Sequence, residues 1–167
     1  MYKVGVITAS DKGSRGERVD KSGPLIKDIM TTNGYDVKEI IIIPDERILI
    51  SKELIKMSDE KKYDLILTTG GTGFSPRDWT PEATLDIIHR LTPGIPEAMR
   101  AYSLTITPKA MLSRSVAGIR NQTLIINLPG SPKAVLENLE VVLPALAHGL
   151  DILVGKSGDC ADPITTK

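Results

Sequence analysis

Apolar residues along the chain occur in two patterns, short continuous runs and longer stretches with helical spacing, and the two alternate. KVGVIT (Lys3 to Thr8) is a run rich in valine and isoleucine and predicts a strand. After a polar, glycine-containing loop, KSGPLIKDIMTTNG (Lys21 to Gly34) puts Leu25, Ile26, Ile29 and Met30 on one face. Ser22 suits the cap of this helix, Pro24 its first turn and Gly34 its stop. YDVKEIIIIP (Tyr35 to Pro44) predicts a second strand, whose continuous isoleucines suggest cover on both faces. DERILISKELIKMSDEKK predicts a second helix through Ile48, Leu54, Ile55 and Met57, and YDLILTTGG (Tyr63 to Gly71) a third strand.

In WTPEATLDIIHRL, Thr80 suits an N-cap, Pro81 the first helical position and Glu82 the positive end of the helix dipole. His89 falls inside that helix on this reading, and another helix is expected from about Pro96. Ser115 to Ile119 and Thr123 to Leu128 are β-prone runs separated by RNQ, which predicts an antiparallel hairpin feeding the sheet. SPKAVLENLEVVLPALAHGLDILVG reads as two helices, with Pro144 opening the second. Strands alternating with helices imply right-handed crossovers, so the expected fold class is α/β: a three-layer α/β/α domain with a mostly parallel sheet plus a β-hairpin. No repeat or linker divides the chain, which reads as one domain over 1–167 with a polar tail from 155 to 167.

Composition narrows the function. The chain has 167 residues, no long apolar run and zero formal net charge, which argues against a membrane span and against non-specific nucleic acid binding. MYKVGVITAS lacks the basic flank and cleavage site of a secretory signal, so a cytoplasmic location is expected. The single cysteine, Cys160, excludes a disulfide framework within one chain and reads as incidental, while His89 and His148 are too few for a histidine metal site. GKS (Gly155 to Ser157) has neither the upstream glycine register nor the preceding strand of a P-loop and reads as a surface turn.

In an open α/β sheet, ligands bind beyond the carboxyl ends of the parallel strands. TASDKGSRG, PDE, TGGTGFSPRD and LPGSP follow the four proposed strand ends and should converge on one rim. Gly70, Gly71 and Gly73 allow backbone N–H groups to face an anion, with Thr69 and Thr72 adding hydroxyls. Gly130 and Ser131 precede a helix whose N-terminus favours an anion. Asp45 and Asp78 are repulsive beside phosphate unless a cation lies between, and Mg²⁺ held by carboxylates and substrate phosphates resolves that conflict. Asp45 also fits a helix cap and Asp78 a salt bridge with Arg77 or a neighbour; it is the shared rim that points to metal-assisted phosphoryl or nucleotidyl transfer.

The segments ITASDKGSRG, DKSGP, IIPDE, TTGGTGFSPRDWTPEAT, AMLSRSVAG and LPGSPKA, in that order over roughly residues 3 to 155, closely resemble the MogA/MoaB-like molybdenum cofactor biosynthesis family, the molybdopterin adenylyltransferases. The resemblance implies the molybdopterin-binding fold and transfer of AMP from ATP to the phosphate of molybdopterin, with Mg²⁺ and release of pyrophosphate. It places the two acidic positions, catalytic and metal-binding, on Asp45 and Asp78. Ser10, Asp11, Thr69, Gly70, Gly71, Thr72, Gly73, Ser75 and Arg77 fall on contacts to the nucleotide and pterin phosphates. Ser113, Arg114, Pro129, Gly130 and Ser131 fall at the pterin end. It further implies a homotrimer or dimer of trimers and hand-off to a molybdenum insertion enzyme. The alternative within the same pathway is a molybdopterin carrier that binds without catalysis.

Overall fold

The computed structural model describes residues 1–156. Its elements run β1 (Lys3–Ala9), α1 (Asp11–Ser14), α2 (Ser22–Thr32), β2 (Asp36–Ile43), α3 (Arg47–Ile55), β3 (Leu65–Thr69), α4 (Thr80–Leu85), β4 (Arg90–Leu91), α5 (Gly94–Leu104), β5 (Ala117–Arg120), β6 (Thr123–Leu128) and α6 (Pro132–Leu153). A π-helical turn, Lys56–Glu60, extends α3, and a 3-10 helix, Pro108–Leu112, follows α5. The six-stranded sheet has the order β2-β1-β3-β6-β5-β4. Its first four members are parallel, and β5 and β4 complete it antiparallel.

Side-chain alternation divides the core into two layers. Val4, Val6, Leu65, Leu67, Leu124, Ile126 and Leu128 pack on one face with Ile26 and Met30 of α2 and Val135, Leu139 and Leu146 of α6. Ile7, Ile66 and Ile125 pack on the other with Ile50 and Leu54 of α3, Met57, and Ala83 of α4. Burial on both faces explains why β3 and β6 carry apolar side chains at consecutive positions, Leu65 to Leu67 and Leu124 to Ile126. β1 lies between β2 and β3, so the chain reverses direction across the sheet there, and the crevice at that switch opens at the strand ends Ala9, Ile43, Thr69 and Leu128.

Several sequence expectations are corrected. β2 is an edge strand and none of its residues is fully buried; its isoleucine run is partly open, with Ile42 39% exposed. Ser22 begins α2 and does not cap it, because Asp20 Oδ1 accepts the N–H groups of Ser22 and Gly23 at 3.0 and 3.1 Å. Thr80 likewise is the first residue of α4, held by its N–H to Gly71 O at 3.1 Å, with no side-chain cap. α4 ends at Leu85, so His89 lies outside it and leads into β4, donating its N–H to Ile119 O. The final segment is one helix, not two: Val135, Leu139, Val142, Leu146 and Leu150 form a buried stripe that continues past Pro144. The carbonyl that Pro144 leaves unbonded belongs to Glu140, on the exposed side where water can take it. The hairpin of β5 and β6 and the stop at Gly34, with φ +84, are as expected. The readings of Cys160 and of the tail beyond Lys156 fall on residues outside the described ones.

Candidate active site

The four loops do meet. A cavity of about 570 Å³ lies at the carboxyl end of the sheet, bounded by Ser10 after β1, Asp45 after β2, Thr69, Gly70 and Gly71 after β3, and Gly130 and Ser131 after β6. Asp78 reaches it from the loop before α4. Each loop is fixed by local bonds. Ser10 Oγ caps α1 by accepting Gly13 N–H at 3.0 Å, and Ser131 Oγ caps α6 by accepting Ala134 N–H at 3.2 Å. The hydroxyl of Thr69 donates to Pro129 O at 2.7 Å, joining the third and fourth loops.

The glycines have conformational reasons to be there. Gly70 and Gly71 have φ of +91 and +65, where a side chain is strained, and a Cβ on Gly70 would collide with the carbonyl oxygen of Ala9. A Cβ on Gly130 would stand 3.3 Å from the Gly70 Cα. The backbones of the β1, β3 and β6 loops therefore approach closely, and the floor of the cavity is main chain.

Carboxylates crowd one side. Asp11 and Asp45 exchange hydrogen bonds, Asp11 N–H to Asp45 Oδ2 at 2.8 Å and Asp45 N–H to Asp11 Oδ1 at 3.1 Å. Arg77 clamps both Asp11 oxygens at 2.9 Å, and its hydrogen bonding holds the Asp11 carboxyl below the usual carboxylate range. Burial pushes the Asp45 carboxyl up; the Asp11 N–H opposes this, and the charges of Asp11 and Asp78 add to it. Asp78 Oδ2 accepts Ser75 N–H at 3.0 Å. One oxygen on each of Asp45 and Asp78 has no hydrogen-bond donor, and the hydroxyl of Thr80, buried beside Gly71, has no partner at all. Among the described residues no group of three or more His, Cys, Asp and Glu side chains could hold a metal ion by itself. Two crowded carboxylates facing backbone N–H groups fit Mg²⁺, which takes one or two protein carboxylates and completes its shell with phosphate and water.

The remaining expected residues lie around this cavity. Thr72, Gly73, Ser113 and Pro129 line a second, more apolar cavity of about 270 Å³, where Met99 and Leu112 form part of the wall and Arg100 and Lys109 supply charge. Asp11, Ser75, Arg77 and Arg114 line neither cavity and act on residues that do. The guanidinium of Arg114 is spent on the loop: Nε donates to Gly73 O at 2.7 Å, Nη2 to Asp78 O at 2.6 Å, and Nη1 pairs with Glu82. Arg114 N–H also donates to Thr72 O at 2.9 Å. Its structural part is to hold the backbone from Thr72 to Asp78 in shape.

Arg18, Asp20, Lys21 and Ser22 also line the larger cavity, and sequence reasoning gave none of them a role in the site. Asp20 ties this segment down, accepting from Thr8 Oγ1 at 2.7 Å as well as capping α2, and Ser22 Oγ donates to Gly130 O at 2.8 Å. The available signal was an aspartate two and three residues ahead of Ser22 and Gly23, the spacing of an N-cap. Arg18 and Lys21 thereby bring two cations to a cavity whose other polar lining is hydroxyls and carboxylates.

The profile of the family described as "probable molybdopterin binding domain" matches residues 5–148. The chain is 48% identical over 154 residues to the molybdopterin adenylyltransferase of Helicobacter pylori (strain ATCC 700392 / 26695), covering 91% of this chain and 88% of that one. It is 43% identical over 155 residues to the molybdopterin adenylyltransferase of Escherichia coli (strain K12), covering 89% and 79%. The crystal structure of the molybdopterin biosynthesis enzyme MoaB from Thermus thermophilus superimposes with a TM-score of 0.89 at 48% identity, over 95% of this chain and 100% of that one.

Proposed function

The chain belongs to the molybdopterin binding domain family, and from that we propose that it is a molybdopterin adenylyltransferase of molybdenum cofactor biosynthesis. The observation that carries the reading is the convergence of four strand-end loops on one cavity with Asp45 and Asp78 facing the glycine turn.

The larger cavity takes the triphosphate of ATP. N–H groups of the Gly70–Gly71 turn and the N-terminus of α6 face its oxygens, and Arg18 and Lys21 lie at its wall for the departing pyrophosphate. The smaller, more apolar cavity beyond Gly73 takes the pterin, next to Ser113 and Pro129, and the two substrates meet over the loop that Arg114 holds. An oxygen of the molybdopterin phosphate attacks the α-phosphorus, the bond from that phosphorus to the β-phosphate oxygen breaks, and pyrophosphate leaves with the electron pair. The attacking phosphate is already ionised near neutral pH, so no side-chain base is required. Catalysis is positioning and charge stabilisation. Mg²⁺ held by Asp45 and Asp78 would neutralise charge on the phosphate oxygens. Asp11 and Arg77 position Asp45 for that task, and Ser75 does the same for Asp78.

A cytoplasmic location goes with this reading. No helix among the described residues is long and apolar enough to cross a membrane. A homotrimer, or a dimer of trimers, is supported by apolar side chains left open at Leu104, Ile106, Met111 and Leu112, the region beside the smaller cavity. Light scattering on the purified protein tests this, and a monomer would overturn it. Hand-off of the adenylylated product to a molybdenum insertion enzyme follows from the same pathway assignment.

Mixing the protein with ATP, Mg²⁺ and molybdopterin tests the activity. Molybdopterin-dependent pyrophosphate release, with an adenylylated product by mass, is expected. Tight pterin binding without release would replace the enzyme by a carrier.

A further inference from the structure

Thr80 carries a side chain that the free protein does not use. It is fully buried, and its Oγ1 has neither a hydrogen-bond partner nor contact with solvent. A buried hydroxyl without a partner costs free energy, so each one calls for an explanation. Local structure supplies none. Thr80 does not cap α4, and its backbone is already satisfied, with its N–H on Gly71 O and its carbonyl accepting from Thr84 Oγ1 at 2.9 Å.

The surroundings of the hydroxyl give the explanation. Gly71 has no Cβ, and at the place where one would stand, Asp45 Oδ1 lies 3.3 Å away and Thr80 Oγ1 closer still. The hydroxyl and the donor-free oxygen of Asp45 therefore flank the same gap. Asp45 Oδ2 is already held by Asp11 N–H at 2.8 Å, which leaves Oδ1 as the oxygen able to turn. Reorientation of Oδ1 when the site is filled would give the hydroxyl an acceptor, while Oδ2 stays on Asp11 N–H.

We propose that Thr80 is a positioning residue for Mg²⁺-nucleotide binding, its hydroxyl donating to the Asp45 carboxylate when the nucleotide is bound. This rests on the adenylyl-transfer reading of the site. The hydroxyl is held unsatisfied in the free state so that its one hydrogen bond is gained on binding.

Thr80→Val keeps the shape and removes the hydroxyl, whereas Thr80→Ser keeps the hydroxyl and removes a methyl. The probe is calorimetric titration of the whole chain with α,β-methylene-ATP, which cannot transfer its adenylyl group, with and without Mg²⁺. Thr80→Val is expected to bind the Mg²⁺ complex about tenfold or more weakly, the loss of one charge-assisted bond, and to show less of the wild type's gain from Mg²⁺. Thr80→Ser should stay within about threefold of wild type. The melting temperature of free Thr80→Val should equal or exceed that of wild type, since no bond is lost in the free state. Wild-type affinity in Thr80→Val, an equal loss in Thr80→Ser, or a Thr80→Val chain that melts lower or does not fold would each overturn the proposal. Absence of Mg²⁺-nucleotide binding in the wild type would instead remove the adenylyl-transfer reading beneath it.

Discussion

Asp11 and Asp45 hold one another by reciprocal hydrogen bonds between the backbone N–H of each and the carboxylate of the other, at 2.8 and 3.1 Å. The residues are far apart in sequence but close the ends of neighbouring strands β1 and β2, so the pair fixes the Asp45 carboxylate relative to the sheet. Arg77 then locks Asp11 from the loop after β3. Three loops are tied together through the Arg77 guanidinium and the two half-buried carboxylates of Asp11 and Asp45.

Asp11→Ala should therefore lower adenylyl transfer without unfolding the chain. It removes the acceptor for Asp45 N–H and frees Arg77, while Asp11 N–H remains to hold Asp45 Oδ2. A fall of about tenfold to a hundredfold in kcat/KM is expected, from the loss of one or two charge-assisted bonds. Asp11→Asn retains an oxygen for Asp45 N–H and should fall less. Steady-state kinetics of the two variants checks the order; equal losses would mean the Arg77 clamp alone matters.

Asp45→Asn should abolish turnover and stabilise the fold, and Asp78→Asn should abolish turnover with the fold intact. The Asp45 carboxyl titrates above its ordinary value of 3.8, chiefly because of burial, so the folded state binds this proton more tightly than the unfolded chain. Stability from this group is present at low pH and is lost as pH rises through the folded pKa. At pH 7 the amide variant should melt higher than wild type, and the difference should vanish below about pH 4. Turnover by the wild type should fall on acidification while still above the range where an ordinary aspartate protonates. Thermal melts and rate profiles across pH check both halves.

Gly70→Ala should damage the site through the backbone. The residue has φ +91, and its Cβ would enter the carbonyl oxygen of Ala9 at the end of β1. Strain of about 1–3 kcal/mol is expected, which lowers the melting temperature by several degrees for a chain of this size. Because the collision pushes β1 from β3 at the cavity floor, nucleotide affinity should fall more than stability does. Differential scanning calorimetry and nucleotide titration together separate the two effects.

The glycines, hydroxyls and paired aspartates of the rim were legible because their chemistry is local and because parallel strands put all their carboxyl ends on one side. What escaped depends on distant partners. Arg114 reads as a ligand contact in sequence but is spent on Gly73 O, Asp78 O and Glu82, an arrangement that exists only after β5 brings it to the loop. Thr80 has the composition of a cap, yet its N–H is taken by Gly71 O and the helix begins one residue earlier than the cap rule puts it. Pro144 reads as a helix start because local rules weigh its missing donor more than a buried stripe that runs past it. The isoleucines of β2 promise a central strand, but edge position is a property of the sheet order, which apolar runs do not encode.

Asn127 lies beneath the site with no exposure and uses its whole amide. Nδ2 donates to Thr68 Oγ1 and Thr84 Oγ1 at 2.9 Å each, and Oδ1 accepts Val116 N–H at 3.3 Å. The amide joins β3, α4 and the entry to β5, and so supports the loop between β3 and α4 from below. Asn127→Leu fits the volume but leaves the Val116 N–H and the Thr68 hydroxyl without partners, at a cost of about 2–4 kcal/mol. Asn127→Asp supplies both oxygens but has to bury a charge or take up a proton. Its carboxyl should titrate far above its ordinary range, so this variant should be least stable at alkaline pH and regain stability as pH falls. The leucine variant has no such group and should keep the same deficit relative to wild type across that range. Chemical denaturation at several pH values distinguishes them, and a pH-independent Asn127→Asp deficit would show that the carboxyl finds water, and that the amide is not sealed beneath the loop.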